Sequence, residues 1–173
     1  MANADDNLLE EKMNSLTSNR LILRAFTKDD FSDVFTLAKN WKSAPGPEWD
    51  KWPVDEDGCK GFLEYLCTHE NYFAIYLREK ERVIGLLAIN GINENKKLDL
   101  GHVIHSDFQN DDIDREALEM MIENIFTTMD VKSITTGNFP EEKQIAPLKS
   151  LGFIKGEPDG IYDMEKRNWK KGK

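Results

Sequence analysis

The sequence predicts a mixed α/β (α+β) fold: a mostly antiparallel sheet of about six or seven strands, one parallel crossover and about four helices. Three observations lead there. Three strand-like runs follow one another between Tyr72 and His105, a strongly amphipathic segment spans Ile113 to Met129, and a short strand-like run, Val131 to Thr136, comes directly after it. A strand, a helix and a strand within about forty residues make a βαβ unit, whose two strands run parallel. With 173 residues, of which 39% are hydrophobic, the chain can bury one core and suits a single domain.

Residues 1–17 are polar and acidic around Leu8 and Leu9 and read as a loose or weakly helical extension. The domain proper is expected over 18–165, with a basic, frayed tail at 166–173. Arg20 to Phe26 alternates as a half-buried strand. Thr27 then offers an N-cap for a helix reaching Asn40, with the stripe Phe31, Val34, Phe35 and Ala38. Pro45, Gly46, Pro47 and Pro53 make Trp41 to Pro53 a long loop holding Trp41, Trp49 and Trp52. A second helix runs from Asp55 to Thr68. Tyr72 to Arg78 and Arg82 to Asn90 form a hairpin, and Leu98 to His105 extends the meander. The Ile113 helix carries Ala117, Leu118, Met121, Ile122 and Ile125 on one stripe. A helix from about Glu141 to Leu151 ends at Gly152, and strands near Phe153 to Glu157 and Ile161 to Glu165 close the sheet.

Charge and cysteine content exclude several classes. No apolar run approaches the roughly 20 residues of a membrane span, so no membrane partner is expected. The polar start, Met1 to Glu11, is no signal peptide. A pI near 4.9 disfavours nucleic acid, whose phosphates need surplus Lys and Arg. Cys59 and Cys67, eight apart on a helix, sit about 12 Å apart, too far for a disulfide. They read as small hydrophobes of a reducing, cytoplasmic compartment. No cysteine–histidine set suits a metal. The net charge of -9 is unevenly spread: Asp107, Asp111, Asp112, Asp114, Glu116, Glu119 and Glu123 face one base, Arg115, within a single stretch.

Four segments in order carry a likeness: TSNRLILRAFTKDD (Thr17 to Asp30), RVIGLLAINGIN (Arg82 to Asn93), LDLGHVIHSDFQ (Leu98 to Gln109) and LKSLGFIKGE (Leu148 to Glu157). Over residues 17–165 the chain resembles the GNAT acetyltransferase superfamily, most of all its ribosomal-protein N-terminal acetyltransferase branch. The resemblance implies a GNAT-like fold and acetyl transfer from acetyl-coenzyme A to an amine of a small molecule or a protein N-terminus. It places the pantetheine arm of coenzyme A along Val103, Ile104 and His105. The pyrophosphate would sit on backbone N–H groups at Gln109, Asn110, Asp112, Ile113 and Asp114, since a helix start carries unsatisfied donors and partial positive charge. Asn138 lies near the position of a cofactor-contacting Asn, which itself falls on Glu141. A Tyr that serves many relatives as general acid falls on Leu148.

At the phosphate loop the sequence departs from that pattern. Gln109 matches the first motif position of Gln/Arg-x-x-Gly-x-Gly/Ala, but the two small-residue positions fall on Asp112 and Asp114. With Asp111 they put three carboxylates where a pyrophosphate belongs, and like charges about 5 Å apart repel by roughly 1 kcal/mol even in water. As acids at a helix start they also read as caps. A calcium loop fails by spacing, because positions six and twelve from Asp107 are Asp112 and Leu118 rather than Gly and Glu.

For catalysis, Asp99 stands where relatives often hold Glu and is one base candidate; His102 is another, as an imidazole titrating near neutrality. Trp41, Trp49 and Trp52 fall on the family's substrate loop, and the acid-rich surroundings favour a cationic amine. Two functions follow: an acetyl-coenzyme A-dependent N-acetyltransferase, monomeric or homodimeric, or a binding or regulatory protein on the same fold that has lost normal coenzyme A binding.

Overall fold

The computed structural model describes residues 15–46, 48–109, 112–137 and 142–171, and of Trp49 the backbone alone. Among them one sheet forms from β1 (Leu16–Thr17), β2 (Leu21–Arg24), β3 (Tyr72–Leu77), β4 (Arg82–Ile92), β5 (Lys97–Ile104), β6 (Ser133–Gly137), β7 (Ile154–Lys155) and β8 (Ile161–Glu165). Their spatial order is β1-β2-β3-β4-β5-β6-β8-β7. Every neighbouring pair is antiparallel except β5 and β6, the parallel crossover expected from the sequence. Two edge strands of two residues each bring the count to eight among the described residues.

Four helices cover the sheet: α1 (Phe31–Ser43), α2 (Glu56–Thr68), α3 (Ile113–Thr128) and α4 (Glu142–Leu151). On one face Val34 of α1 and Cys59, Leu63 and Leu66 of α2 pack with Ala74, Leu86 and Ala88. On the other, Leu118, Met121, Ile122 and Ile125 of α3 and Leu148 of α4 pack with Leu98, Leu100 and Ile134. The apolar stripes on the helices dictate this sandwich, because each has one face to bury. Asp55 caps α2, its carboxylate accepting the Gly58 N–H at 2.7 Å.

The start of α1 depends on one buried carboxylate. Thr27 does precede the helical turn, but Asp30 does the binding: it accepts the Thr27 N–H at 2.8 Å and two guanidinium N–H groups of Arg24, each at 2.8 Å. Burial alone would raise this carboxyl, yet the Arg24 and Thr27 hydrogen bonds hold it below its ordinary value.

Four local expectations give way. Helix α1 continues past Asn40, because Leu37, Ala38 and Trp41 extend its buried stripe. Trp41 is therefore helical rather than in the loop, and the helix stops where Ala44 turns extended before Pro45. Leu16 and Thr17 leave the expected extension and pair with Leu23 and Ile22 of β2. The strand expected over Phe153 to Glu157 shrinks to Ile154–Lys155. The tail is anchored as far as Trp169, which packs on Phe126 at 6.3 Å and donates its indole N–H to Glu123 at 2.7 Å.

That last contact explains part of the acidic stretch. Glu116 accepts the Ser18 hydroxyl at 2.5 Å and the Arg20 Nε–H at 2.7 Å, and Glu119 faces Arg115 at 3.6 Å. Three of the seven acids thus tie the β1–β2 link and the tail to α3, or pair along it.

Replacing Asp30 with Asn should lower unfolding free energy by about 3 kcal/mol, because Arg24 loses its partially buried partner. Since the folded carboxyl is depressed, the wild-type advantage should be present at neutral pH and disappear as pH falls through that lowered value. Denaturant unfolding of both proteins at two pH values checks it.

Candidate active site

Strands β5 and β6 pair over only three residues, Lys97 with Ser133, Leu98 with Ile134 and Asp99 with Thr135. Beyond Asp99 they part, while β5 stays bonded to β4 as far as Ile104. Asn90 bulges out of β4 beside this point, since Ile89 opposes Leu100 and Gly91 opposes Asp99. A bulge bends its strand and sharpens local twist, which turns β5 away from β6.

The gap opens into a cleft of about 360 Å³ on the α1–α2 face. Register sets its floor: Tyr72, Ala88 and Gly101 lie side by side on β3, β4 and β5. Gly101 matters here, because a Cβ would come within 3.2 Å of both the Ala88 Cβ and the Asn90 Nδ2. Trp41, Trp52 and Phe62 wall it, Trp52 standing 6.3 Å from Trp41 and 5.0 Å from Phe62 by ring centroids. Thr136, its hydroxyl buried without a hydrogen bond among the described residues, lines the far side.

Two carboxylates, Asp50 and Asp99, also line this cleft, and neither has an ion pair among the described residues. Asp50 is held by its backbone, whose carbonyl accepts the Trp41 indole N–H at 2.8 Å. Lys51 turns its ammonium away to the Trp41 and Ala44 carbonyls, at 2.8 and 2.6 Å. Burial raises the Asp50 carboxyl, with Lys51 acting the other way. Asp99 is exposed on the same strand face as Gly101 and Val103.

His102 lies on the opposite face, in register with Leu87, and is 8% exposed. Burial pushes its imidazole down to about 4, so the ring is neutral near pH 7. Behind the cleft a narrow channel of about 10 Å³, room for about one water, is lined by Trp41, His102, Val103, Ile104, Gln109 and Gln144. It shares Trp41, Ile104, Gln109 and Gln144 with a cavity of about 280 Å³ at the end of α1. Gln109 donates its amide to the Ile104 carbonyl at 3.1 Å, while its Oε1 and that of Gln144 are buried without a donor among the described residues.

The loop from β5 to α3 holds the remaining expected residues. Asn40 and Ser106 exchange hydrogen bonds of 2.8 and 3.0 Å, fixing the loop to α1. His105 accepts the Asp107 N–H at 3.2 Å, and Ile113 is buried. Asp112 sits at the head of α3 with φ of +55°, the left-handed conformation that favours glycine. Its side chain makes no capping bond, contrary to the helix-cap expectation. Asp114, 2% exposed, takes the Arg115 N–H at 2.8 Å instead. Asn110, Asp111, Asn138, Glu141 and the Trp49 side chain lie outside the described residues.

The structure therefore brings Asp99, Trp41 and Trp52 together around the cleft; His102 also lines it, though it belongs to the buried alternation of β5 with Leu100 and Ile104. Sequence reasoning missed Asp50, Phe62, Tyr72, Thr136 and Gln144. Strand register could have supplied Tyr72, opposite Ala88 in the hairpin, whereas Gln144 carries no pattern signal.

Residues 20–153 match the model of the acetyltransferase (GNAT) domain, and the chain belongs to that family. Solved structures agree on the fold. An acetyltransferase of the GNAT family from Bacillus anthracis is 14% identical, with 90% of this chain and 100% of that one covered and a TM-score of 0.75. The ribosomal-protein-S5-alanine acetyltransferase from Vibrio fischeri is 20% identical, covering 91% and 99%, with a TM-score of 0.72. RimL, a ribosomal L7/L12 alpha-N-protein acetyltransferase solved with coenzyme A, is 15% identical, covering 88% and 98%, with a TM-score of 0.72. A search of curated proteins gives no match.

Because the folded His102 sits below its ordinary 6.5, the unfolded chain binds its proton first as pH falls. Stability from His102 should be complete above that ordinary value and shrink by about 2 kcal/mol between pH 7 and pH 5. Substituting His102→Leu should flatten that part of the pH profile, read by denaturant midpoints.

Proposed function

We propose that this chain transfers an acetyl group from acetyl-coenzyme A to the amine of a cationic small molecule or peptide. The observation that supports it best is the splay after Asp99, which leaves an inner strand of the sheet facing a cleft instead of a neighbour. Acetyl-coenzyme A would supply an activated thioester there. On this reading Val103 and Ile104 of β5 hold the pantetheine arm, and a β5 N–H polarises the carbonyl. The cleft has room for that arm, about 360 Å³ beside Gly101 and Val103. The residues fit the pyrophosphate poorly, because the Asp114 carboxylate already takes a first-turn N–H of α3.

The acceptor's surroundings follow from the cleft. Trp52, Phe62 and Tyr72 provide π faces for a cation, and Asp50 and Asp99 supply unpaired negative charge. An amine arrives as an ammonium and attacks only once neutral. Asp99, in the cleft and beside the splay, takes the proton, by way of water where the distance requires it. Nitrogen then bonds the acyl carbon as the carbon–sulfur bond breaks, giving an amide and a thiol. His102 is the weaker base, being buried behind the strand and neutral already with little affinity for a proton.

The aspartates favour one second reading, a binding protein on this fold that no longer takes coenzyme A. Thiol release on mixing chain, acetyl-coenzyme A and a panel of amines separates the two. The enzyme reading expects amine-dependent release, and its absence across the panel contradicts it. Asp99→Asn should then lower kcat by about a hundredfold with little change in KM for the donor. Trp52→Ala should mainly raise KM for the acceptor, by about tenfold.

A further inference from the structure

We propose that the acceptor is a diamine: Asp50 and the aromatic wall of the cleft hold one ammonium, while the other gives a proton to Asp99 and takes the acetyl group. The inference rests on the transferase reading above and names the chemical class of its acceptor.

The charge in the cleft calls for two cations. Asp50 and Asp99 line it, no Lys or Arg does among the described residues, and His102 is neutral near pH 7. A single ammonium held between both carboxylates would keep its proton, because nearby opposite charge favours the charged form. A protonated amine cannot attack. With Asp99 serving the reacting nitrogen, Asp50 stays unpaired unless the acceptor carries a second positive group.

The surroundings of Asp50 reserve it for such a group. It sits on the loop between α1 and α2, where its carbonyl accepts the Trp41 indole N–H at 2.8 Å. Lys51, its neighbour in sequence, is committed elsewhere. That ammonium donates to the Trp41 and Ala44 carbonyls at 2.8 and 2.6 Å and lies 4.7 Å from the centre of the Trp41 ring. It lowers the Asp50 carboxyl less than burial raises it. Trp52, Phe62 and Tyr72 wall the same cleft, and among the described residues no cation covers any of these three rings. Their faces are open to an ammonium. Thr136, 2% exposed, adds a hydroxyl with no hydrogen bond among the described residues, an acceptor for an ammonium N–H. The cleft, about 360 Å³, is within the range of small-molecule sites.

The chemistry follows from the two seats. Asp99 takes one proton of the inner ammonium, and the freed nitrogen bonds the acyl carbon. The carbon–sulfur bond then breaks, and a second proton of that nitrogen ends on the leaving thiolate. The product keeps one ammonium and gains one neutral amide. A second transfer would have to seat the amide at Asp50 and leave the carboxylate unpaired, so the reaction stops at one acetyl group per diamine.

Two measurements on the full chain test this: thiol release from acetyl-coenzyme A, and calorimetric titration with the amine alone. Each compares a straight-chain diamine with a butane or pentane spacer against the monoamine and the amino alcohol of the same length. The diamine should exceed both by at least about tenfold in kcat/KM and in affinity, and mass spectrometry should find one acetyl group on it. Asp50→Asn should bring the three acceptors within about threefold of one another, by raising KM for the diamine, without lowering the melting temperature. A merely structural aspartate would lower the melting temperature and leave the preference. Equal use of monoamine and diamine by the wild-type chain would overturn the inference and leave the transferase reading standing. A diamine preference that survives in Asp50→Asn would overturn it too. If no amine releases thiol yet the diamine binds selectively, the transferase reading falls and the cleft remains a diamine site.

Discussion

A parallel pairing that lasts three residues governs this molecule. Parallel strands are joined through a crossover helix, and here α3 must return the chain from the end of β5 to the start of β6 across the buried face. Leu118, Met121, Ile122 and Ile125 secure that return against Leu98, Leu100 and Ile134. The pairing holds at the Lys97–Asp99 end and is released towards Ile104, beside the Asn90 bulge. The cleft, its glycine floor and the channel behind it all follow from where β5 and β6 separate. Helix α1 completes the arrangement, since its unexpected extra turn delivers Trp41 to the cleft, the channel and the cavity at once.

The net charge divides into structural and positional parts. Glu116, Glu119 and Glu123 have partners on α3 or on segments packed against it, and their role is to fasten the β1–β2 link and the tail. Asp114 is turned inward against its own helix start. Asp50 and Asp99 lie elsewhere, in the cleft, neither in an ion pair among the described residues, although Lys51 draws the Asp50 carboxyl down. On the proposed reading, acidity at both ends of the site works in one direction, disfavouring an anion at the head of α3 and favouring a cation in the cleft.

Much of the fold was legible in the sequence because its signals are periodic. The α3 stripe, the strand alternation at Leu21 and Leu23 and the meander all report burial directly, and each forms near the expected place. The errors came where tertiary contact decides. The stop of α1 was placed at Asn40 because the prolines beyond look like a loop, yet Trp41 is drawn into the helix by burial. Trp169 is held by a hydrogen bond to Glu123, forty-six positions away, which no local pattern announces. The site was legible only in outline. Asp99, Trp41 and Trp52 were singled out through the family resemblance and do line the cleft, and Asp112, at the position the resemblance gives to glycine, has a positive φ. Gln144 and Asp50 were not legible, because tertiary packing that no local pattern announces places them beside the channel and the cleft.

The claim at the centre is that the acyl donor lies against the unpaired length of β5. Amide chemical shifts of the isotope-labelled chain, followed on adding acetyl-coenzyme A, test it most directly. The account predicts the largest changes in the N–H groups of Gly101 to Ile104, with smaller ones at Gln109 and Thr136. Changes confined to other faces, such as the groove between β1 and α3 lined by Leu16, Glu119 and Met120, would contradict it.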